Sequence, residues 1–520
     1  MRKPLSIPVR VEMAPVADTF DARLERIAAP LRQWDEAAVR AHFGMAESDR
    51  LLKTTLSLCQ ECLAHVIAAV YERDGRVWLD KQCAQHGHQH ALLENDTRFY
   101  RLSNKDRWGR AYAADRVLAF PAFDATSSCC GPSESCATPS MDLWPHDFAE
   151  QSGNKSCTVL VEITDACNLA CRVCYAESAG DRVLPLEQFK THLSALIAQK
   201  GMLDSVQVTG GEASLHPQFW DMLHWLAGQA GVGKIYLPTN GIEFGKRDFA
   251  EKLVALKDRI LVLLQFDGTD RPTNQTLRRA SPERLRIKLI ERLNTLGIAM
   301  QLTMTLTHGV SERDIAWVVK QGRRYRNVRL IAMQPAFFSG RYELDLDTNA
   351  RLTLSDCVKG VVAGMRKNTR EDDFLPIPCS HPNCGWVTLY ARRFGFFANI
   401  ARHVDLNAVM NEVAYKTLLK EREMQNMVGT KTSGIAGWLA RIARRLIRPQ
   451  DVFGIAIKPF MDRFNYDQDR ISNCCHHMTD THGRLVSFCE YNARLRRADS
   501  WQRLPVLDGH RLAAPDPVAH

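Results

Sequence analysis

The chain has 520 residues, 45% of them hydrophobic and 24% charged, with a formal net charge of +9. These proportions describe an ordinary soluble globular protein with room for a large core and two to four domains. No apolar run approaches the ~18–20 residues that span a bilayer, which excludes a transmembrane helix, and the modest basic excess permits an anionic partner without requiring one.

The N-terminus, Met1 to Pro8, has no apolar core behind its charges, so no secretory signal is read there and a cytoplasmic placement is expected. The sixteen cysteines, many in close pairs, point to metal ligation in a reducing compartment. Residues 1–50 are expected to be an N-terminal helical segment, with Leu24, Ile27, Ala28, Leu31 and Trp34 at helical spacing. Residues 51–122 read as a metal-knuckle domain. Cys59 and Cys62 form one ligand pair, and Cys83 and His86 form a second after a strand-like segment. This is the pattern of a zinc-ribbon or rubredoxin-like knuckle holding zinc or iron, with His88 and His90 as alternative fourth ligands. Residues 123–156 are a linker rich in Ser, Pro and Gly, and its Cys129, Cys130 and Cys136 have no framing strand.

From 157 to 345 short apolar, β-branched runs alternate with helical stretches. Six strands are expected near 158–164, 205–208, 234–237, 260–266, 300–306 and 328–333, giving a parallel sheet with its active face at the strand C-terminal ends. Cys167, Cys171 and Cys174 follow the first strand and are able to ligate three irons of a [4Fe-4S] cluster, leaving one iron open. Gly210, Gly211 and Glu212 follow the second strand, where glycines let backbone approach a ligand and a carboxylate can pair with an ammonium group. Asn240 and Asp267 end the third and fourth strands and are each followed by glycine, a pairing that also favours plain turns.

Residues 346–492 are expected to form a C-terminal auxiliary Fe-S domain. Cys379, Cys384, one or both of Cys474 and Cys475, and Cys489 would supply four or five ligands to one or two further Fe-S clusters, enough for one full cluster, or to a structural zinc site. The stretch 434–448 is amphipathic and basic, with Trp438 at its apolar edge, as in helices that lie in a membrane interface or pack on their own protein. Residues 493–520 read as a tail.

The loop Cys167-x3-Cys171-x2-Cys174, the adjoining Tyr175 and the Gly210-Gly211-Glu212 motif resemble the radical S-adenosylmethionine (radical SAM) superfamily. The knuckle, the Pro-Cys-Ser-His-Pro-x-Cys segment and the late Phe-Cys-x-Tyr-Asn segment narrow the resemblance to the branch of archaeal tetraether lipid synthases and dihydropterin methyltransferases. It covers about residues 51–105 and 157–492, and the Cys129/Cys130/Cys136 loop has no match in it. The resemblance implies an α/β partial (βα)6 barrel and a SAM-binding [4Fe-4S] cluster. It also implies contacts to SAM from Tyr175, Gly210, Gly211, Glu212, Asn240 and Asp267, and a flavodoxin- or ferredoxin-type reductant. The implied outcome is hydrogen abstraction from an unactivated carbon, leading to carbon–carbon bond formation on a lipid or small molecule. Methylation of a pterin-like heterocycle is the alternative. A non-catalytic Fe-S carrier or scaffold is the reading from another class, and no dedicated nucleic-acid motif is present.

Overall fold

The computed structural model describes residues 20–120, 156–178, 180–365, 368–393, 396–406, 421–427, 431 and 448–507. The Cys129/Cys130/Cys136 loop and the amphipathic stretch 434–447 lie outside them.

The expected N-terminal helix is two helices, Phe20–Gln33 and Glu36–Phe43, separated where Asp35 caps the second by accepting from the Ala38 N–H at 2.8 Å. Leu24, Ala28 and Leu31 are fully buried against Leu56 and Trp108, so the first helix docks on the sheet that follows. That sheet is an antiparallel meander of β1 (Arg50–Leu58), β2 (His65–Arg73), β3 (Arg76–Cys83) and β4 (Gly87–Glu94). Asp74 and Gly75 both take positive φ, the two-residue turn that matches strand twist in a tight hairpin. β5 (Leu102–Ser103) and β6 (Val117–Leu118) form a small parallel pair after it.

The remaining strands build one large sheet. β7 (Thr158–Glu162), β9 (Leu203–Thr209), β10 (Val232–Thr239), β11 (Ile260–Gln265), β12 (Met300–Leu306) and β13 (Val328–Pro335) run parallel in that order. These are the six expected strands: the second, third and sixth are longer than expected by two to four residues, the first and fourth slightly shorter, and the fifth has the expected bounds. Between β7 and β9, β8 (Val173–Cys174) carries part of the cysteine loop and pairs with β14 (Arg341–Tyr342). One face of the sheet, including Val159, Val161, Val206, Val208, Ile235 and Leu237, is buried under the crossover helices. At roughly 1.5–3 kcal/mol per large apolar side chain, that face supplies the main drive for closure. The alternate residues face inward, where polar and apolar side chains line a hollow.

Residues 346–492 do not form a sheet of their own among the described residues. β15 (Leu375–Pro376), β16 (Trp386–Arg393), β17 (Phe396–Asn399) and β18 (Val452–Ile457) extend the barrel sheet beyond β13, with β18 parallel to it. β19 (His476–Thr479) and β20 (Leu485–Ser487) extend the other border, with β19 parallel to β7. Residues 493–507, read as part of a tail, are packed. Leu495 and Leu504 are buried, and Arg496 forms a bidentate pair with Glu162 at 2.8 and 2.9 Å, anchoring the segment to the first barrel strand.

Candidate functional site

At the C-terminal ends of the parallel strands lies a cavity of about 240 Å3 lined by Cys167, Cys171, Cys174, Tyr175 and Gly210 to Glu212. The two glycines stitch the cysteine loop to the second strand. The Gly211 N–H donates to Thr164 O at 2.8 Å and the Glu212 N–H to Ala166 O at 2.8 Å. A Cβ on Gly210 would stand 2.2 Å from Thr164 O, and one on Gly211 2.2 Å from Ala166 O, so only glycine permits this approach. The loop is also held from outside: Arg172 N–H donates to Leu277 O, and β8 pairs with β14.

Glu212 is fully enclosed. Its Oε1 accepts from Ser214 Oγ at 2.6 Å and Thr239 Oγ1 at 3.0 Å, Oε2 accepts the Asn240 N–H at 2.8 Å, the Ser214 N–H adds to these, and the side chain lines the cavity. Burial raises its pKa and these hydrogen bonds oppose the rise. Across the cavity, Arg286 is 1% exposed and its Nη2 has no hydrogen-bond partner. Burial pulls this guanidinium down to about 10, still charged at neutral pH. Three thiols on one wall, a buried carboxylate and an unsatisfied guanidinium fit an iron–sulfur cluster with an amino-acid-bearing co-substrate. The three thiols do not converge at single-ion spacing, whereas two other groups do.

Asn240 reaches the cavity, but its side chain is already engaged. Nδ2 donates to Asn168 Oδ1 at 2.7 Å, and Oδ1 accepts the Ile242 N–H at 3.0 Å, so it braces the cysteine loop and its own turn. Asp267 does not line the cavity. It is completely buried beneath Arg278, which grips it through Nε at 2.7 Å and Nη2 at 2.9 Å. Asp267 thus stands behind Arg278, which faces the hollow and donates to Val173 O in the cysteine loop. Tyr175 packs its ring between Phe337 and Phe488, with its hydroxyl 3.4 Å from Thr209 Oγ1.

The knuckle is assembled at the other end of the chain. Cys59 Sγ and Cys83 Sγ each lie 3.5 Å from His86 Nδ1, and Cys62 Sγ lies 3.9 Å from Cys83 Sγ. A tetrahedral ion with bonds of about 2.3 Å to sulfur and 2.0 Å to nitrogen holds its ligands about 3.5–3.8 Å apart. The four atoms thus fit one tetrahedral ion. His88 is turned to Asp80 at 3.3 Å and His90 lies against Trp78, so neither alternative histidine joins the group.

The family described as the radical SAM superfamily matches residues 161–321. The chain carries a radical SAM domain. The HMPTM N-terminal zinc ribbon domain matches residues 51–95. The chain is 24% identical over 524 residues to 7,8-dihydro-6-hydroxymethylpterin dimethyltransferase of Methanocaldococcus jannaschii, covering 88% of this chain and 98% of that one. It is 28% identical over 182 residues to GTP 3′,8-cyclase of Chlorobaculum tepidum, covering 34% of this chain and 53% of that one. Among solved structures, a radical SAM methyltransferase from Sphaerobacter thermophilus aligns at 10% identity over 66% of this chain and 83% of its own, with a TM-score of 0.31.

A second cavity, of about 330 Å3, continues from the radical SAM site along the inner face of the barrel. The two share Thr158, Tyr236, Gln301, Lys458, Phe460, His476 and Phe488. Leu261, Leu330, Val387, Leu389 and Val404 make the second cavity apolar, and the C-terminal cysteines stand on its wall. These cysteines divide between two places, within the expectation of one or two further clusters. Cys379 and Cys475 meet at 3.2 Å and are joined by Cys157, the residue just before the first barrel strand. Cys384, Cys474 and Cys489 line the cavity beside Arg470. Burial pushes the Cys474 thiol up to about 11 and raises Cys489 further. The adjacent Cys474 and Cys475 thus serve different groups.

Proposed function

We propose that the protein is a radical SAM enzyme that abstracts hydrogen from an unactivated carbon of an alkyl chain, as a step toward carbon–carbon bond formation on a lipid. The observation that carries the substrate class is the apolar cavity that opens directly from the cysteine-loop site and is large enough for a segment of hydrocarbon. Cys167, Cys171 and Cys174 would hold a [4Fe-4S] cluster that, with SAM bound, would supply a 5′-deoxyadenosyl radical. The chain's own residues hold and shield it. Glu212 takes the SAM amino group, Arg286 offers its free Nη2 to a carboxylate, Arg278 and Asn240 brace the loop, and the Tyr175–Phe337–Phe488 wall excludes water from the reacting carbon.

Metal at the C-terminal thiols and in the ribbon is part of this reading: Cys384, Cys474 and Cys489 would hold an Fe-S centre, which would supply one-electron chemistry beside the shared chamber. A flavodoxin- or ferredoxin-type protein supplies the reducing electron. A second reading, methyl transfer to a pterin-like heterocycle, draws on the activity for which the Methanocaldococcus relative is named. It also draws on the amides of Gln207, Gln265 and Gln301, which line the first cavity and suit a planar ring with donors and acceptors.

Anaerobic protein supplied with SAM and dithionite tests the reading. It is expected to form 5′-deoxyadenosine, lost in Cys171→Ala, and to take deuterium into that 5′-deoxyadenosine from deuterated long-chain, organic-soluble material. Deuterium taken instead from a small polar heterocycle, or the SAM methyl group recovered on one, supports the pterin reading. No 5′-deoxyadenosine, with no effect of Cys171→Ala, leaves a non-catalytic Fe-S protein. Iron is expected above four per chain, falling by about four when the three loop cysteines become alanine.

A further inference from the structure

Asp469 is completely buried, outside the lining of the cysteine-loop cavity, and is the meeting point of three separate segments. Its Oδ2 accepts from Lys53 Nζ at 3.0 Å and from His381 Nε2 at 3.0 Å. Its Oδ1 accepts from Asn473 Nδ2 at 2.8 Å. Lys53 belongs to ribbon strand β1, is 2% exposed, and also pairs with Asp467 at 2.8 Å and Asp106 at 3.5 Å. Burying a lysine is costly without such partners, so the contact fixes the ribbon firmly.

His381 stands between Cys379 and Cys384. Its Nδ1 accepts the Asn383 N–H at 3.1 Å, which places the ring proton on Nε2 and makes that nitrogen the donor to Asp469. The Cys384 N–H in turn donates to His381 O at 2.9 Å. Asn383 adds a second tie to the segment after the ribbon: its side chain accepts from Arg101 N at 2.9 Å and donates to Arg101 O at 2.8 Å. On the third segment, Asn473 immediately precedes Cys474 and Cys475, and Arg470, the neighbour of Asp469, lies beside Cys384 and Cys489.

We propose that Asp469, with Lys53 and His381, is a positioning centre through which the zinc ribbon sets the geometry of both C-terminal thiol groups. The inference rests on the reading that those thiols take part in the reaction. It also gives the ribbon a role beyond stapling its own fold, because β1 is the wall against which the two cysteine loops are aligned. Without the Lys53–Asp469–His381 chain the loop from 379 to 384 has no buried polar anchor on the ribbon strand, and its thiols lose register with Cys474 and Cys475.

The test is anaerobic iodoacetamide labelling of the full, reduced protein, read cysteine by cysteine. In His381→Leu and Lys53→Met, labelling of Cys379, Cys384 and Cys474 is expected to rise by about tenfold or more, the usual scale for losing a residue that orients ligands. Cys171 in the central loop and Cys357 in the core helix Leu354–Met365 are expected to label as in wild type. His381→Gln, which keeps a donor to Asp469, is expected to stay near the wild-type rate. Unchanged labelling in His381→Leu overturns the proposal. So does a Gln variant that fails like Leu, or a parallel rise at Cys357 that marks general loosening. Metal analysis of the same samples separates the two levels. Wild type without metal at the C-terminal thiols sinks the electron-relay reading, while the ratio between variants still reports on positioning.

Discussion

Replacing Asp267 separates a residue that touches the co-substrate from one that supports the site. The carboxylate takes two hydrogen bonds from Arg278, one from Gln265 at 2.8 Å and the Thr305 N–H at 3.0 Å, and Arg286 stands 3.8 Å away. Asp267→Asn preserves shape and one acceptor but strands two buried guanidinium groups with no counter-charge. Removing one partner of a buried pair costs about 3–5 kcal/mol. With Asp267 0% exposed and the Arg278 side chain 7% exposed, solvent offers little relief. For a unit of barrel size each kcal/mol lowers Tm by about 2–4 °C, so a fall of about 6–20 °C is expected. Because Arg278 also holds Val173 O, iron retention in the central loop should fall with it. The assay is anaerobic thermal melting, with and without SAM, alongside iron content. A variant that melts within about 2 °C of wild type and keeps its iron, yet binds SAM weakly, would refute the supporting role and restore direct contact.

Three further outcomes follow from the geometry. Gly211→Ala forces a Cβ to 2.2 Å from Ala166 O, so the variant is expected to lose about four irons while the ribbon metal stays, as read by metal analysis. His86→Ala is expected to release the ribbon ion at chelator concentrations that leave His88→Ala and His90→Ala loaded, because only His86 stands within ligand distance of the three thiols. Burial pushes Glu94 up to about 7, against hydrogen bonds from Ser355 and Thr353. A carboxyl with a raised folded pKa contributes fully below its unfolded value and loses that contribution as pH climbs through the folded one. Wild type should therefore lose about 3 kcal/mol from this group between pH 4.5 and 7, whereas Glu94→Gln should show a flatter profile in pH-dependent melting.

The six barrel strands were legible because parallel strands buried on one face read as apolar, β-branched runs, and the glycine–glutamate turn because its spacing from the cysteine loop matches one βα unit. The helix Arg271–Arg278, which delivers Arg278, was not. Its sequence, Arg-Pro-Thr-Asn-Gln-Thr-Leu-Arg, has a single large apolar residue and shows no stripe. The role of Cys157 was hidden for a different reason. It precedes β7 and Cys475 precedes β19, and only the order of the folded sheet makes those strands neighbours, with Cys157 N–H donating to Cys475 O at 2.9 Å. Side chains at consecutive positions of extended backbone point opposite ways, so Cys474 and Cys475 separate into two groups once the segment becomes a strand entrance. The place of Asp267 was not legible, because an Asp-Gly pair at a strand end looks the same whether it faces a ligand or an arginine behind it.

The strands contributed by the last third of the chain flank the central six on both sides, β18 against β13 and β19 against β7. A fragment ending near residue 345 would thus expose two bare borders of unpaired amides and carbonyls, an invitation to self-association. Attempts to excise a minimal catalytic piece from this polypeptide should meet insolubility before they meet inactivity, and complementation by a separately expressed C-terminal fragment is the more promising dissection.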